Sequence, residues 1–112
     1  MVEDPPIDAV FHALSHKARR DMLARLAEGE LTVGELAEPL AMSLPAASKH
    51  VKVLEDAGLL RRTISGRQHL CRLEPKPLAA AHDWLSFYEA FWSDRLDALD
   101  ALFRRNPSRR SK

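Results

Sequence analysis

The 112-residue sequence predicts a mainly helical domain interrupted by one small two-stranded β-hairpin, and three observations predict it. Apolar residues recur at helical spacing in four successive stretches before Gly58 and in a fifth after Pro77. The period drops to two between Leu59 and Leu73, and serine, threonine, glycine and proline fall where those stretches must begin or end. A hydrophobic fraction of 46% with 29% charged residues supplies one modest core. Residues 1–103 therefore read as a single domain and residues 104–112 as a disordered basic tail.

Each element has its own signal. Ile7, Val10, Phe11 and Leu14 stand at i, i+3, i+4, i+7 after Pro5 and Pro6, which sets a first helix over residues 6–14. Ser15 is the expected N-cap of a second helix, in which Ala18, Met22, Leu23 and Leu26 share a face, and Gly29 closes it. Thr32 with Glu35 three residues on is a capping box opening a third helix that Pro39 keeps short. Ser43 caps a fourth helix over residues 44–57, Pro45 falls in its first turn where a missing N–H costs nothing, and Gly58 stops it. "LLRRTI" and "QHLCRL" are strand-like runs around "SGR", where Gly66 offers the positive φ of a tight turn, so residues 61–72 form the hairpin. Pro75 and Pro77 end it. From Leu78 to Phe103 no glycine or proline interrupts a single fifth helix, whose apolar stripe runs through Leu85, Tyr88, Trp92, Leu96, Leu99 and Phe103 and is widened by Trp84.

The fourth helix needs a second explanation. Ala47, Val51 and Leu54 account for its buried face and leave Ser48, Lys49, His50 and Lys52 clustered on the rest. From Leu44 to Arg72 the six basic residues Lys49, Lys52, Arg61, Arg62, Arg67 and Arg72 face only Glu55 and Asp56, whereas from His82 to Phe103 five acids face only Arg95. A phosphate-bearing partner would meet the middle of the chain and avoid its last helix. Two short helices joined by a tight turn and followed by a hairpin make a winged helix-turn-helix, and the polar cluster then has a use. Ser43, Leu44, Pro45 and Ala46 lie against the DNA backbone, Ser48, Lys49, His50 and Lys52 reach phosphates or base edges, and Arg67 at the wing tip enters the minor groove or grips a phosphate. Arg61 and Arg62 alternate along a strand, so at most one meets DNA, and Arg62 is the candidate. Arg19 and Arg20 are read as serving solvent or backbone phosphates.

The run from "ALSHKARRDMLARLAEG" through "SKHVKVLEDAGLL" to "SGR", residues 13–75, resembles the winged-helix repressors of the ArsR family. The resemblance implies a homodimeric, usually bacterial repressor of its own transcription that binds an imperfect palindrome in double-stranded DNA and is often released by an inducer, whose identity the sequence does not reveal. The aromatic stripe resembles the C-terminal dimer helix of members that lack metal sites, which extends the match to Phe103. The expected dimer interface is Ile7, Phe11, Trp84, Leu85, Tyr88, Trp92, Leu96, Leu99 and Phe103. Metal-sensing members carry a Cys-x-Cys motif before the turn, where this chain has Thr32 and Gly34. His82 and Asp83 are adjacent and point apart, and His12 and His16 are separated by the break at Ser15 and lack further ligands, so no metal and no cofactor is expected. Cys71 reads as a buried apolar residue.

Other classes are weaker. No apolar run approaches the roughly 18 residues of a membrane helix. The acidic, proline-broken N-terminus is unlike a signal peptide, which places the protein in the cytoplasm, and the lone cysteine fits a reducing compartment. No nucleophile–base pair, carboxylate pair or phosphate-cradling glycine loop argues for an enzyme. Two alternatives stay open: a metal- or thiol-responsive family member with ligands from both subunits, and a protein-interaction module. The latter would need apolar anchors outside the core stripe of the fourth helix, where only Val53 is available.

Overall fold

The structure, a computed structural model, describes residues 7–105, apart from the side chains of Ala90, Trp92 and Arg105. The elements are α1 (Ile7–Leu14), α2 (Lys17–Leu26), β1 (Leu31–Thr32), α3 (Val33–Ala37), a 3-10 turn (Glu38–Leu40), α4 (Leu44–Asp56), β2 (Leu60–Ser65), β3 (Gln68–Leu73), α5 (Lys76–Ser86) and α6 (Glu89–Arg105). The chain divides into two compact units, one ending at Ala81 and the other beginning at His82.

In the first unit the core is Val10 and Ala13 of α1, Met22, Leu23 and Leu26 of α2, Leu36 of α3 and Ala47, Val51 and Leu54 of α4. It is closed by Leu59 just before β2, Leu60 and Cys71 of the sheet and Ala81 of α5. These are the residues that helical and two-fold periodicity assign to one face of each element. Thr32 forms the capping box with Glu35, and the Ser43 hydroxyl accepts from the Ala46 N–H at 3.2 Å with Pro45 in the first turn of α4. Gly58 takes φ 78° where α4 turns into the wing. Ser65 pairs with Gln68, so Gly66 and Arg67 alone make the turn; Gly66 at φ 62° supplies the positive φ of a type II′ turn, which matches the strand twist.

Four features depart from the sequence reading. Ser15 does not cap α2: its hydroxyl donates to the His12 carbonyl at 2.6 Å, and His16 caps instead, with Nδ1 accepting from the Ala18 N–H at 3.1 Å. The sheet has three strands in the order β1-β3-β2, because Leu31 and Thr32 pair antiparallel with Cys71 and Leu70. A two-residue strand carries no periodicity, and its partner lies about forty residues downstream, so local pattern does not reveal it. The predicted fifth helix is two helices. Backbone bonds from Phe87 N–H to the Asp83 carbonyl and from Tyr88 N–H to the Leu85 carbonyl tighten the chain into a turn, where Phe87 and Tyr88 meet edge-to-face and Trp84 stacks obliquely on Tyr88. The helical backbone then runs to Arg105, past the expected tail start, with Arg104 bound to Asp100 at 2.8 Å; residues 106–112 lie outside the described residues. Among the described residues no helix is long and apolar enough to cross a membrane.

Fully buried Leu54 and exposed Lys49 sit on the same helix and should separate stability from function. Leu54→Ala should lower unfolding free energy by about 2–5 kcal/mol. Lys49→Ala should stay within about 0.5 kcal/mol of the parent. Urea unfolding followed by circular dichroism measures both.

Candidate nucleic-acid interface

The face of α4 opposite its core residues carries Pro45, Lys49, Lys52 and Asp56, all exposed. Lys49 makes no ion pair among the described residues, whereas Lys52 binds Asp56 at 2.9 Å, an exposed i, i+4 pair whose hydrogen bond and charge raise the lysine's proton affinity. Leu44 is 56% exposed at the start of the helix and Ala46 is half-buried. Ser48 lies on the flank toward the wing, where it lines an open groove of about 390 Å³ with Thr32 and Gly34 below and Arg62, Arg67 and Gln68 opposite. The groove joins the N-terminal ends of α3 and α4 to the wing. Thr32, Gly34 and Gln68 were missed from sequence because nothing in their spacing connects them; only the pairing of β1 with β3 brings them to the groove.

His50 lies on the other flank. Its Nδ1 is 3.1 Å from an Arg19 guanidinium nitrogen and its ring centroid is 4.6 Å from that of His16. Burial, then the nearby His16 and Arg19, hold His50 below the ordinary imidazole range. Arg19 is not a solvent- or phosphate-facing residue as the sequence reading had it: it is 7% exposed, donating from Nε to the Ala13 carbonyl at 2.7 Å and from a terminal nitrogen to the His12 carbonyl at 3.2 Å. Arg20 reaches the Leu14 carbonyl at 2.8 Å. Both arginines thus satisfy carbonyls that the end of α1 leaves open.

In the wing, Arg62 is half-buried and bound to Glu55 of α4 at 2.8 Å and to His69 Nδ1 at 3.2 Å, which fastens the hairpin to α4. Arg61 points away toward Glu74 at 3.5 Å, so the alternation expected along β2 is present. Arg67 is exposed at the tip and has no ion pair among the described residues. Ile64 is 65% exposed on the same hairpin. Cys71 is buried, and burial, opposed by Arg62 and reinforced by Glu55, pushes its thiol above the usual range. Among the described residues no three histidine, cysteine, aspartate or glutamate side chains converge as metal ligands.

Of the expected interface residues, Ile7 and Phe11 are half-buried against the first unit's core. In the second unit Trp84, Leu85, Tyr88, Leu96, Leu99 and Phe103 are all exposed, together with Phe87, Phe91 and Leu102. The Trp92 side chain lies outside the described residues.

A capped, basic-ridged helix following a tight turn and flanked by a hairpin defines a winged helix-turn-helix protein that binds DNA. Residues 14–63 match the helix-turn-helix domain family. The HTH-type transcriptional regulator Rv2034 of Mycobacterium tuberculosis is 40% identical over 89 residues, which cover 80% of each chain. The transcriptional repressor SdpR of Bacillus subtilis is 30% identical over 76 residues, covering 68% of this chain and 84% of SdpR. The crystal structure of an ArsR family transcriptional regulator shares 39% identity and a TM-score of 0.72, covering 78% of this chain and 96% of that one. The chain belongs to the ArsR family of winged-helix transcriptional regulators and is a DNA-binding regulator of transcription.

Two measurements check the electrostatics. Native protein should resist iodoacetamide at Cys71 at neutral pH and react promptly once unfolded, since a buried protonated thiol is a poor nucleophile. His50 takes up its proton less readily folded than unfolded, so its stabilising share is present above an unfolded imidazole value of about 6.5 and is lost as pH falls through the lower folded value. Stability should therefore fall more steeply between pH 7.5 and 5 in the parent than in His50→Asn, whose amide does not titrate.

Proposed function

We propose that two copies of this chain form a cytoplasmic repressor that binds an imperfect palindrome, each copy reading one half-site with α4 and bracing it with the wing. The observation that carries this reading is the ridge of α4, where Lys49 projects outward, Ser43 caps the first turn, Ser48 flanks the groove and Arg67 stands at the wing tip. Leu44, Pro45 and Ala46 abut the DNA backbone, Ser48, Lys49 and His50 read or position, and Lys52 exchanges Asp56 for a phosphate. Arg62, committed to Glu55 and His69, holds the wing in place.

Dimerisation is supported by the apolar surface of the second unit. Phe91, Leu96, Leu99 and Leu102 are each about half exposed or more, a surface large for a protomer of this size, and the aromatic and leucine spacing suits pairing with a second copy. Ile7 and Phe11 join that interface in this reading. Repression follows from occupancy of a promoter, including the protein's own, and involves no catalysis. The relative SdpR is a transcriptional repressor, which supports that sign of regulation.

Sedimentation at micromolar concentration should give a dimer; a monodisperse monomer overturns the assembly. Selection from a random duplex pool should enrich a palindrome with half-sites about one helical turn apart, roughly 34 Å. Ser48→Ala should reduce preference for the enriched duplex over random DNA. Arg67→Ala should weaken binding to both and lower the salt slope by about one per protomer. Uniform loss across all sequences from both changes would remove the assigned division of labour.

A further inference from the structure

Arg19 is the one charged residue among those described that is buried, and it bridges the end of α1 and the middle of α4. Its three contacts are two carbonyls at the end of α1 and Nδ1 of His50 at 3.1 Å. A guanidinium stays protonated and can only donate hydrogen bonds. His50 Nδ1 must therefore offer a lone pair, and the single hydrogen of the neutral ring sits on Nε2. No buried side-chain nitrogen or oxygen among the described residues lacks a partner, and His50 is only half-buried, so Nε2 opens to solvent. His16 repeats the arrangement, since its Nδ1 accepts from the Ala18 N–H. Among the described residues, the groups that face His50 from other elements are a cation, Arg19, and a second imidazole, His16, with no carboxylate to favour the imidazolium.

We propose that Arg19 is a positioning residue for DNA reading: by holding His50 through Nδ1 it presents Nε2–H of a neutral imidazole as a fixed hydrogen-bond donor, which selects an acceptor on the DNA. The acceptor is on a base edge in the major groove, a purine N7, a guanine O6 or a thymine O4, and the exocyclic amino groups of adenine and cytosine are excluded because they too are donors. The proposal rests on α4 being the reading helix. It also gives His50 a role distinct from that of Lys49: a donor without charge contributes selectivity and releases no counterion, so it leaves the salt dependence of binding unchanged.

The tautomer is read directly, without DNA, by long-range ¹H–¹⁵N correlation on the uniformly labelled full chain. At pH 7.5 His50 should show Nε2–H with a bare Nδ1, and Arg19→Gln should abolish that single-tautomer signature. An Nδ1–H form or an imidazolium in the parent overturns the proposal. Because Arg19→Gln removes a buried hydrogen-bond hub and puts folding itself at risk, His50→Asn supplies the second arm: its amide oxygen replaces Nδ1 as acceptor for Arg19 while the distal donor is gone. On duplexes enriched from a random pool by the parent protein, His50→Asn should bind about 5- to 20-fold more weakly, with random-duplex affinity and salt slope unchanged. A loss under twofold overturns the proposal. Replacing half-site phosphates by methylphosphonates should cost the parent and His50→Asn equally, because the acceptor lies on a base; a larger cost to the parent places the acceptor on the backbone and overturns the proposal. If the parent enriches no duplex, the reading of α4 fails while the ¹⁵N spectrum still reports whether Arg19 fixes His50.

Discussion

The C-terminal end of α1 is the constraint around which the DNA-binding unit is arranged. An α-helix ends with carbonyls that find no partner within it, and here the chain turns at once into α2. Arg19 and Arg20, one turn into α2, return to the His12, Ala13 and Leu14 carbonyls. The cation meets the negative end of the α1 dipole, which offsets part of the cost of burying it. Burial is acceptable only if the remaining N–H groups are satisfied as well, and His50 supplies an acceptor. One side chain thereby joins the end of α1, the start of α2 and the middle of α4.

Helix α4 is consequently held from both flanks by the same kind of contact. On one side Arg19 meets His50 Nδ1; on the other Arg62 meets His69 Nδ1 and Glu55. An arginine is suited to both places because its planar fork can serve several acceptors at once and keeps its charge when half-buried. The first contact fixes α4 against the helices, and the second fixes the wing against α4. The spacing between the ridge of α4 and Arg67 is therefore set by paired side chains as well as by the apolar core.

What could be read from sequence follows the range of the interactions. The capping box at Thr32 and Glu35, the cap at Ser43, the stop at Gly58 and the turn at Gly66 depend on residues within four positions of each other, and each is where the residue types put it. Ala41 shows the limit even of local rules: it ends the 3-10 turn at φ 53°, a left-handed conformation that glycine or asparagine would announce and alanine conceals. Arg19 was hidden for a related reason, since a two-arginine pair in a polar stretch looks like any solvated helix face until the partner 31 residues away is known. The break at Phe87 and Tyr88 carries neither glycine nor proline, and it was invisible because aromatic residues in succession fit a helical stripe as readily as a turn.

Charge in the basic segment argues for assembly independently of the apolar surface. Three of its six cations are already paired, Lys52 with Asp56, Arg61 with Glu74 and Arg62 with Glu55. Lys49, Arg67 and Arg72 make no ion pair among the described residues. Non-specific affinity grows with the number of phosphates neutralised, and three uncommitted cations per protomer give a shallow salt dependence and weak binding. A two-fold dimer doubles that number and makes the second half-site an intramolecular event at high effective concentration. The acids of α6, from Asp94 to Asp100, would repel a duplex brought against them. The charge pattern thus adds support to the proposed dimer, in which the few free cations and neutral donors of the first unit meet the duplex.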